Sequence, residues 1–347
     1  MSDATSVRVV LIGLGNLGRR FARLIAEKHE SLVRDYGLDV RIVGAADSRG
    51  AAIDRGGLNG LEIERAKAAR LSVGELPRIG RPGMTGIQLI ESIDADVLCE
   101  ATPVNLDTGG EPGISHVRAA LKKGMHVATP NKGPIVLAYR ELTELARENG
   151  VELRFDGTVA GGLPALGLGV RELRGAEIIR IESVPNLTTG YVIDLLASGI
   201  PWDEATERAQ KAGMLEADPA WDLQGWDAAA KLAIIANAVL GIDAKIDGIE
   251  REGIVGIDPD RLRDERAAGR VVRLVARADR GKDGLYSLKV GPEAIPADHP
   301  FGRLKEKEMA ILYETDIFGT IVATIEEETP LPSAATILRD LLSIYLD

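Results

Sequence analysis

Ser6-Val-Arg-Val-Val-Leu-Ile12 runs without a break into Gly13-Leu-Gly-Asn-Leu-Gly18, and Arg19-Arg-Phe-Ala-Arg-Leu-Ile-Ala26 follows. The first seven residues are rich in β-branched side chains and read as a buried strand. The last eight carry apolar residues at helical spacing. The glycines between them form G-x-G-x-x-G in the context that gives this pattern meaning: strand, tight turn, helix. Gly13 permits the turn, Gly15 lets the backbone approach a pyrophosphate, and Gly18 lets the helix pack close to the strand. Asn16 and Leu17 complete the loop, and the helix N-terminus turns its amides toward the phosphates. The stretch predicts an α/β, Rossmann-type doubly wound domain that binds NAD or NADP.

A second strand over 40–46 ends in Asp47-Ser48-Arg49, where such folds meet the adenosine ribose. Asp47 can accept hydrogen bonds from the ribose hydroxyls, which favours NAD. Ser48 and Arg49 can hold a 2′-phosphate, which favours NADP. Both kinds of residue are present, so the choice stays open, with a solvated loop arginine as the plain alternative for Arg49. Residues 27–38 read as a polar insertion. Residues 50–88 read as a glycine- and charge-rich excursion with one short helix near 61–70 and no clear strand. A strand returns at 95–101, and Ala101, Thr102 and Pro103 stand at its C-terminal end, where doubly wound sheets bind ligands. After a helix over 114–123 and a strand over 125–129, Lys132 projects from another strand end. It is either an exposed loop lysine or a charge beside the nicotinamide and substrate. A helix opened by Pro134 and a strand at 151–155 follow.

Asp156-Gly-Thr-Val-Ala-Gly-Gly-Leu-Pro164 is a small-residue turn. It exposes carbonyls that can hold a monovalent cation; the plainer reading is a tight crossing between two domains. Beyond it the strands at 178–184, 271–277, 285–290, 309–313 and 319–325 alternate with helices at 191–198, at 202–213 and from Trp226 onward. This predicts a mixed α+β second domain whose sheet is antiparallel and open on one face. Ser333 can cap a last helix running to Leu346. The expected division is 1–150 for dinucleotide binding, with 333–347 packing back on it, and 151–332 for catalysis and dimerisation.

Within the second domain, Glu216, Asp218, Asp222, Asp227 and Lys231 crowd into sixteen residues. Asp227 and Lys231 stand at i and i+4 near the start of a helix and share one face. The bland reading is a solvated surface ion pair. The chemical reading is a lysine held among carboxylates, able to bind a substrate ammonium and shuttle a proton to a carbonyl oxygen.

The chain is 347 residues long, 45% hydrophobic and 27% charged, the composition of an ordinary globular protein of two or three domains. A formal net charge of −11 without a basic patch argues against nucleic-acid binding. Cys99 lies in an apolar run and is expected in the core; a single cysteine permits no internal disulfide. His29, His116, His126 and His299 have no metal-ligand spacing. No apolar run has membrane-spanning length and no signal-peptide layout is present, so a cytoplasmic protein is expected.

Over nearly its whole length the chain resembles the homoserine dehydrogenase family in its short, single-function form. The most specific part is Ala209-Gln210, Gly213, Glu216-Ala-Asp-Pro219, Asp222, Gly225 and Asp227-Ala-Ala through Lys231, which match the family's signature in order and spacing. Thr129 and Asn131-Lys132-Gly-Pro134 resemble its second lysine region, and 156–164 its glycine-rich crossing. The resemblance implies interconversion of L-homoserine and L-aspartate 4-semialdehyde with NAD or NADP. It implies Lys231 and Lys132 as the lysines that manage the proton on the substrate oxygen. Glu216, Asp222 and Asp227 would hold the substrate ammonium and orient Lys231, with Thr188 also at the substrate. It implies a site for Na+ or K+ on Asp156 and the carbonyls of Val159, Gly161 and Leu163. It further implies a homodimer through the second domain's sheet, with no kinase or regulatory domain.

Three departures stand out. Asn186-Leu-Thr-Thr-Gly190 replaces the family's Asn-Gly-Thr-Thr-Asn, Glu326-Glu-Glu-Thr-Pro-Leu-Pro332 replaces a glycine-rich loop, and Asp156 stands where a glutamate is usual. The altered 186–190 segment leaves open a second reading, the same chemistry on another small amino- or hydroxy-acid. A third reading, a silent dinucleotide sensor, is opposed by the joint presence of Lys132, Asp227 and Lys231.

Overall fold

β1 (Thr5–Ile12) is the central strand of a seven-stranded sheet in the computed structural model, which describes residues 4–212, 214 and 219–346. Val7, Val9, Val10 and Leu11 are completely buried, as a strand covered on both faces requires. α1 (Asn16–Tyr36) follows the glycine turn and does not stop where the polar residues begin. Residues 27–36, expected as an insertion, are its last turns: Leu24, Ile25 and Leu32 keep one buried stripe, and the polar residues are its solvent face. Gly37 ends it in the left-handed region, φ 66°.

β2 (Leu38–Asp47) pairs in parallel with β1, matching Val7 to Val40 and Val9 to Ile42. The excursion over 50–88 contains two strands and two helices. β3 (Gly50–Ile53), α2 (Gly60–Ala68), β4 (Gly80–Pro82) and α3 (Gly86–Ser92) follow in order, with β3 antiparallel to both β2 and β4. These strands hold small residues because space demands it. A side chain on Gly50 would sit 2.8 Å from the Arg81 carbonyl oxygen. The parallel half continues with β5 (Val97–Glu100), α4 (Gly113–Lys122), β6 (His126–Ala128), α5 (Lys132–Glu148) and β7 (Leu153–Arg154). The order β4-β3-β2-β1-β5-β6-β7 reverses direction at β1, the switch point at which doubly wound sheets open a ligand crevice.

The chain divides into two compact units, one reaching Gly162 and resuming at Thr329, the other spanning Leu163–Glu328. The second unit begins with α6 (Ala165–Gly167) and a widened turn over 168–172. β8 (Ile178–Val184), α7 (Leu187–Ala197), α8 (Trp202–Lys211), α9 (Ala220–Leu223) and α10 (Trp226–Ile235) follow. Then come β9 (Glu250–Arg251), α11 (Pro259–Ala267), β10 (Arg270–Arg280), β11 (Tyr286–Pro296), β12 (Glu308–Thr315) and β13 (Gly319–Glu326). The sheet order is β13-β12-β8-β10-β11-β9, antiparallel except where short β9 joins β11 in parallel. α7 starts four residues before the expected Tyr191, because Asn186 caps it by accepting from the Thr189 N–H. α11 has only Leu262 buried and therefore shows no apolar stripe in sequence; Asp258 at its cap and Pro259 in its first turn form it.

α12 (Leu331–Leu346) returns to the first unit. It begins two residues before Ser333, so Ser333 lies in its first turn instead of at the cap. Ile337 and Leu341 join Val9, Phe21 and the buried Cys99 in the first unit's core. Among the described residues no helix is long and apolar enough to cross a membrane.

Candidate active site

In the first unit the glycine loop closes against the end of β5. Gly13 has φ 92°, and a side chain there would fall 2.3 Å from the Ala101 carbonyl carbon. A side chain on Gly18 would lie 1.9 Å from the Gly13 carbonyl oxygen. Gly15, by contrast, faces nothing within 4 Å and is the N-cap of α1. The loop is thus packed shut beneath and open above, with helix amides at its rim, and it fits the pyrophosphate of a dinucleotide. Gly13, Ala101 and Thr102 are brought together as the motif requires; Asn16 and Leu17 open α1.

Beneath the strand ends lies a buried polar network centred on Glu100, which is wholly inaccessible to solvent. Its carboxylate accepts from the Thr102 N–H at 3.1 Å and hydroxyl, and from Asn131 Nδ2 at 3.0 Å. His116 Nδ1 lies 3.5 Å away. The Thr129 hydroxyl donates to the Glu100 carbonyl at 2.8 Å. Asn131 also caps α5 by accepting from the Gly133 N–H at 3.0 Å. Lys132 is the first residue of α5 and directly follows Asn131, whose Nδ2 also donates to the Thr102 hydroxyl at 3.2 Å.

At the adenosine end the structure redirects Asp47. One oxygen receives the Lys67 ammonium at 2.7 Å and the Val73 N–H at 3.1 Å; the other receives the Ser72 hydroxyl at 2.8 Å and the Arg49 N–H at 2.9 Å. Burial would raise its pKa, but the Lys67 ammonium and the other donors outweigh that and hold the carboxyl below its usual range. Asp47 is therefore committed to fastening the β2–β3 turn. Ser48 and Arg49 are exposed in that turn, and Arg49 also donates to the Arg70 carbonyl at 2.7 Å.

The second unit assembles the lysine and its carboxylates. Lys231 and Asp227 meet at 2.7 Å on α10, with side chains only 12% and 10% exposed, so the solvated-surface reading of this pair fails. The Lys231 ammonium donates to the Pro185 carbonyl at 2.6 Å. Asn186 Nδ2 donates to Asp222 at 2.7 Å and to Asp227 at 2.9 Å. One amide thereby joins a carboxylate of α9 to one of α10, and the second of these holds the lysine. The start of α10 is fixed by Arg251, whose guanidinium stacks 3.6 Å from the Trp226 ring centroid. Thr188 is buried, and its hydroxyl donates to the Met214 carbonyl at 2.7 Å. Glu216 lies outside the described residues.

The homoserine dehydrogenase family model matches residues 164–342, and the model of that family's NAD-binding domain matches residues 13–156. A homoserine dehydrogenase of Methanocaldococcus jannaschii is 34% identical over 338 residues, covering 97% of this chain and 98% of its own. The chain belongs to the homoserine dehydrogenase family. An NAD(+)-dependent homoserine dehydrogenase of Pseudomonas canavaninivorans is 31% identical, covering 98% of this chain and 97% of its own. A hyperthermophilic archaeal homoserine dehydrogenase solved with NADPH superposes with a TM-score of 0.85 at 26% identity, covering 99% of this chain and 98% of that one.

Within this homoserine dehydrogenase scaffold two of the four expected cation residues, Asp156 and Gly161, are engaged by α12. Asp156 accepts from Arg339 Nη2 of α12 at 2.9 Å, and the Gly161 carbonyl accepts from the Thr336 hydroxyl at 3.1 Å. Val159 and Leu163 are both buried, 1% and 1% exposed. Among the described residues no group of three or more His, Cys, Asp or Glu is arranged to hold a metal ion. Sequence reasoning missed Glu100, His116, Asn186 and Arg339 as organisers. Each acts on residues distant in the chain, and the one local signal was a carboxylate inside the apolar run Val97–Glu100, where a charge needs buried partners.

Proposed function

We propose that the chain interconverts L-homoserine and L-aspartate 4-semialdehyde through proton transfer by Lys231, assisted by Lys132. Asp222, Asp227 and Glu216 receive the substrate ammonium. The observation that carries this reading is the buried Lys231–Asp227 pair tied to Asp222 through Asn186. NAD(P), when bound, supplies the hydride acceptor or donor. In the oxidative direction the substrate hydroxyl gives its proton to a lysine amine. In the reductive direction a lysine ammonium stabilises the forming alkoxide and then protonates it. Asp227 and the Pro185 carbonyl keep the Lys231 side chain from rotating away, so its charge is in place before substrate arrives. Thr188 shapes the pocket through its bond to Met214.

The first unit serves the dinucleotide, through Gly13, Gly15, Asn16, Leu17, Gly18, Ala101, Thr102, Pro103 and Lys132, and the second serves the substrate and dimerisation. NADP is the preferred cofactor in this reading. Support comes from Asp47, whose acceptors are spent on Lys67 and its neighbours, and from the exposed Ser48 and Arg49 beside it. A homodimer is part of the same reading. It is supported by Leu285, Ile317 and Phe318, 70%, 62% and 49% exposed on turns at one end of the second unit's sheet. The test is turnover at the reduced-nicotinamide absorbance band with L-homoserine and a panel of small amino- and hydroxy-acids, with NAD and NADP in parallel. L-Homoserine should be turned over best, with kcat/KM about tenfold or more higher for NADP than for NAD. A different best substrate would favour the reading in which the 186–190 segment has changed specificity.

A further inference from the structure

Arg339 projects from α12 onto the turn at 156–162 that leads into the second unit. Its Nη2 donates to Asp156 Oδ2 at 2.9 Å and its Nη1 to the Gly162 carbonyl at 2.8 Å. One turn earlier on the same helix, the Thr336 hydroxyl donates to the Gly161 carbonyl at 3.1 Å. One residue later, Asp340 accepts from the Gly157 N–H at 3.4 Å. The turn is held from one face of one helix, and its anionic side chain is already matched by a guanidinium. The Asp156 side chain is only 8% exposed, so in the absence of a cation its charge would be costly.

A Na+ or K+ ion at this turn would need the Asp156 carboxylate and a cage of carbonyl oxygens. The carboxylate and the Gly161 oxygen accept hydrogen bonds from α12 instead, and an added ion would bring a second positive charge beside Arg339. A guanidinium offers planar, directional donors and no acceptor, which suits a carboxylate and a carbonyl side by side. The residues present do not fit a monovalent metal.

We propose that Arg339 is the resident cation of the 156–162 turn, so that this enzyme needs neither Na+ nor K+. Arg339 is a positioning residue: it touches no reacting atom and sets the turn through Asp156 and Gly162. The proposal concerns the turn and holds whichever substrate the enzyme takes, so its first readout is thermal. Melting temperature and turnover are measured for the full chain in NaCl, KCl and choline chloride at equal ionic strength. Wild type should be indifferent to which chloride is present in both measurements. In Arg339→Ala the vacated charge should lower turnover by about tenfold or more. Na+, K+ or guanidinium at millimolar concentration should then restore turnover and raise the melting temperature, while choline does neither. Arg339→Lys, which keeps the charge, should remain insensitive to the salt. A wild-type melting temperature or rate that rises saturably with Na+ or K+ over choline overturns the proposal, and so does an Arg339→Ala enzyme that matches wild type in every salt. If Arg339→Ala does not fold, the wild-type series and Arg339→Lys decide alone. If L-homoserine is not turned over, the melting series still decides, which separates failure here from failure of the substrate assignment.

Discussion

The Asn186 side chain spends its nitrogen on Asp222 and Asp227 and its oxygen on the N-terminus of α7. That triple use makes it the hinge of the site. In Asn186→Ala the buried Asp227 and the half-buried Asp222 lose their common donor and α7 loses its cap. We expect kcat to fall by about 10- to 100-fold, dinucleotide affinity to hold, and stability to drop by roughly 1–3 kcal/mol. Steady-state kinetics, cofactor titration and urea unfolding check the three parts; unchanged kcat would remove Asn186 from the active arrangement. Asp227 and Lys231 were legible in the sequence because one helix turn separates them and helical geometry alone places them together. Asn186 was not, because it lies 36 and 41 residues from its two carboxylates and only the tertiary fold joins them. Asp47 was legible in place but not in use: its position at the end of β2 is written in the strand pattern, whereas its capture by Lys67 depends on how α2 folds back.

At the scale of elements, α12 supplies most of the turn's support and also carries a buried acid. Burial, with repulsion from Asp156 second, pushes the Asp340 carboxyl up to about 8 from an ordinary 3.8. The folded protein thus holds this proton over a range in which the unfolded chain has released it. Asp340 should therefore make the native state progressively less stable as pH rises from about 4 to about 8, with no further loss above that. Asp340→Asn is isosteric and permanently neutral, so the melting temperature of the variant minus that of wild type should grow across that window and then level off. A difference independent of pH would contradict the assignment. Elements with a strong period or a defined cap were legible, among them β1, β8, α10 and the four late strands. β3 and β4 were not, because their sequence answers to close backbone approach, as at Gly50, and not to alternation. α11 was hidden by its nearly all-polar surface, and the second half of α1 by polar residues that are its solvent face.

For the whole molecule, the chain leaves the first unit at Gly162, builds the second, and returns at Thr329 to place α12 in the first core. Lys231 and the glycine loop thus belong to separately packed units, and α12 packs into the core of the unit that holds the loop. The exposed Ile317 and Phe318 predict that light scattering will give twice the mass of one chain at micromolar concentration; a monomer mass would remove dimerisation from the account. The most direct test of the central claim is the rate of nicotinamide reduction with L-homoserine in Lys231→Ala, with dinucleotide affinity titrated on the same preparation. Turnover should fall by about 10²- to 10⁴-fold with affinity for the dinucleotide unchanged. Near-wild-type turnover, with the fold intact, would contradict it.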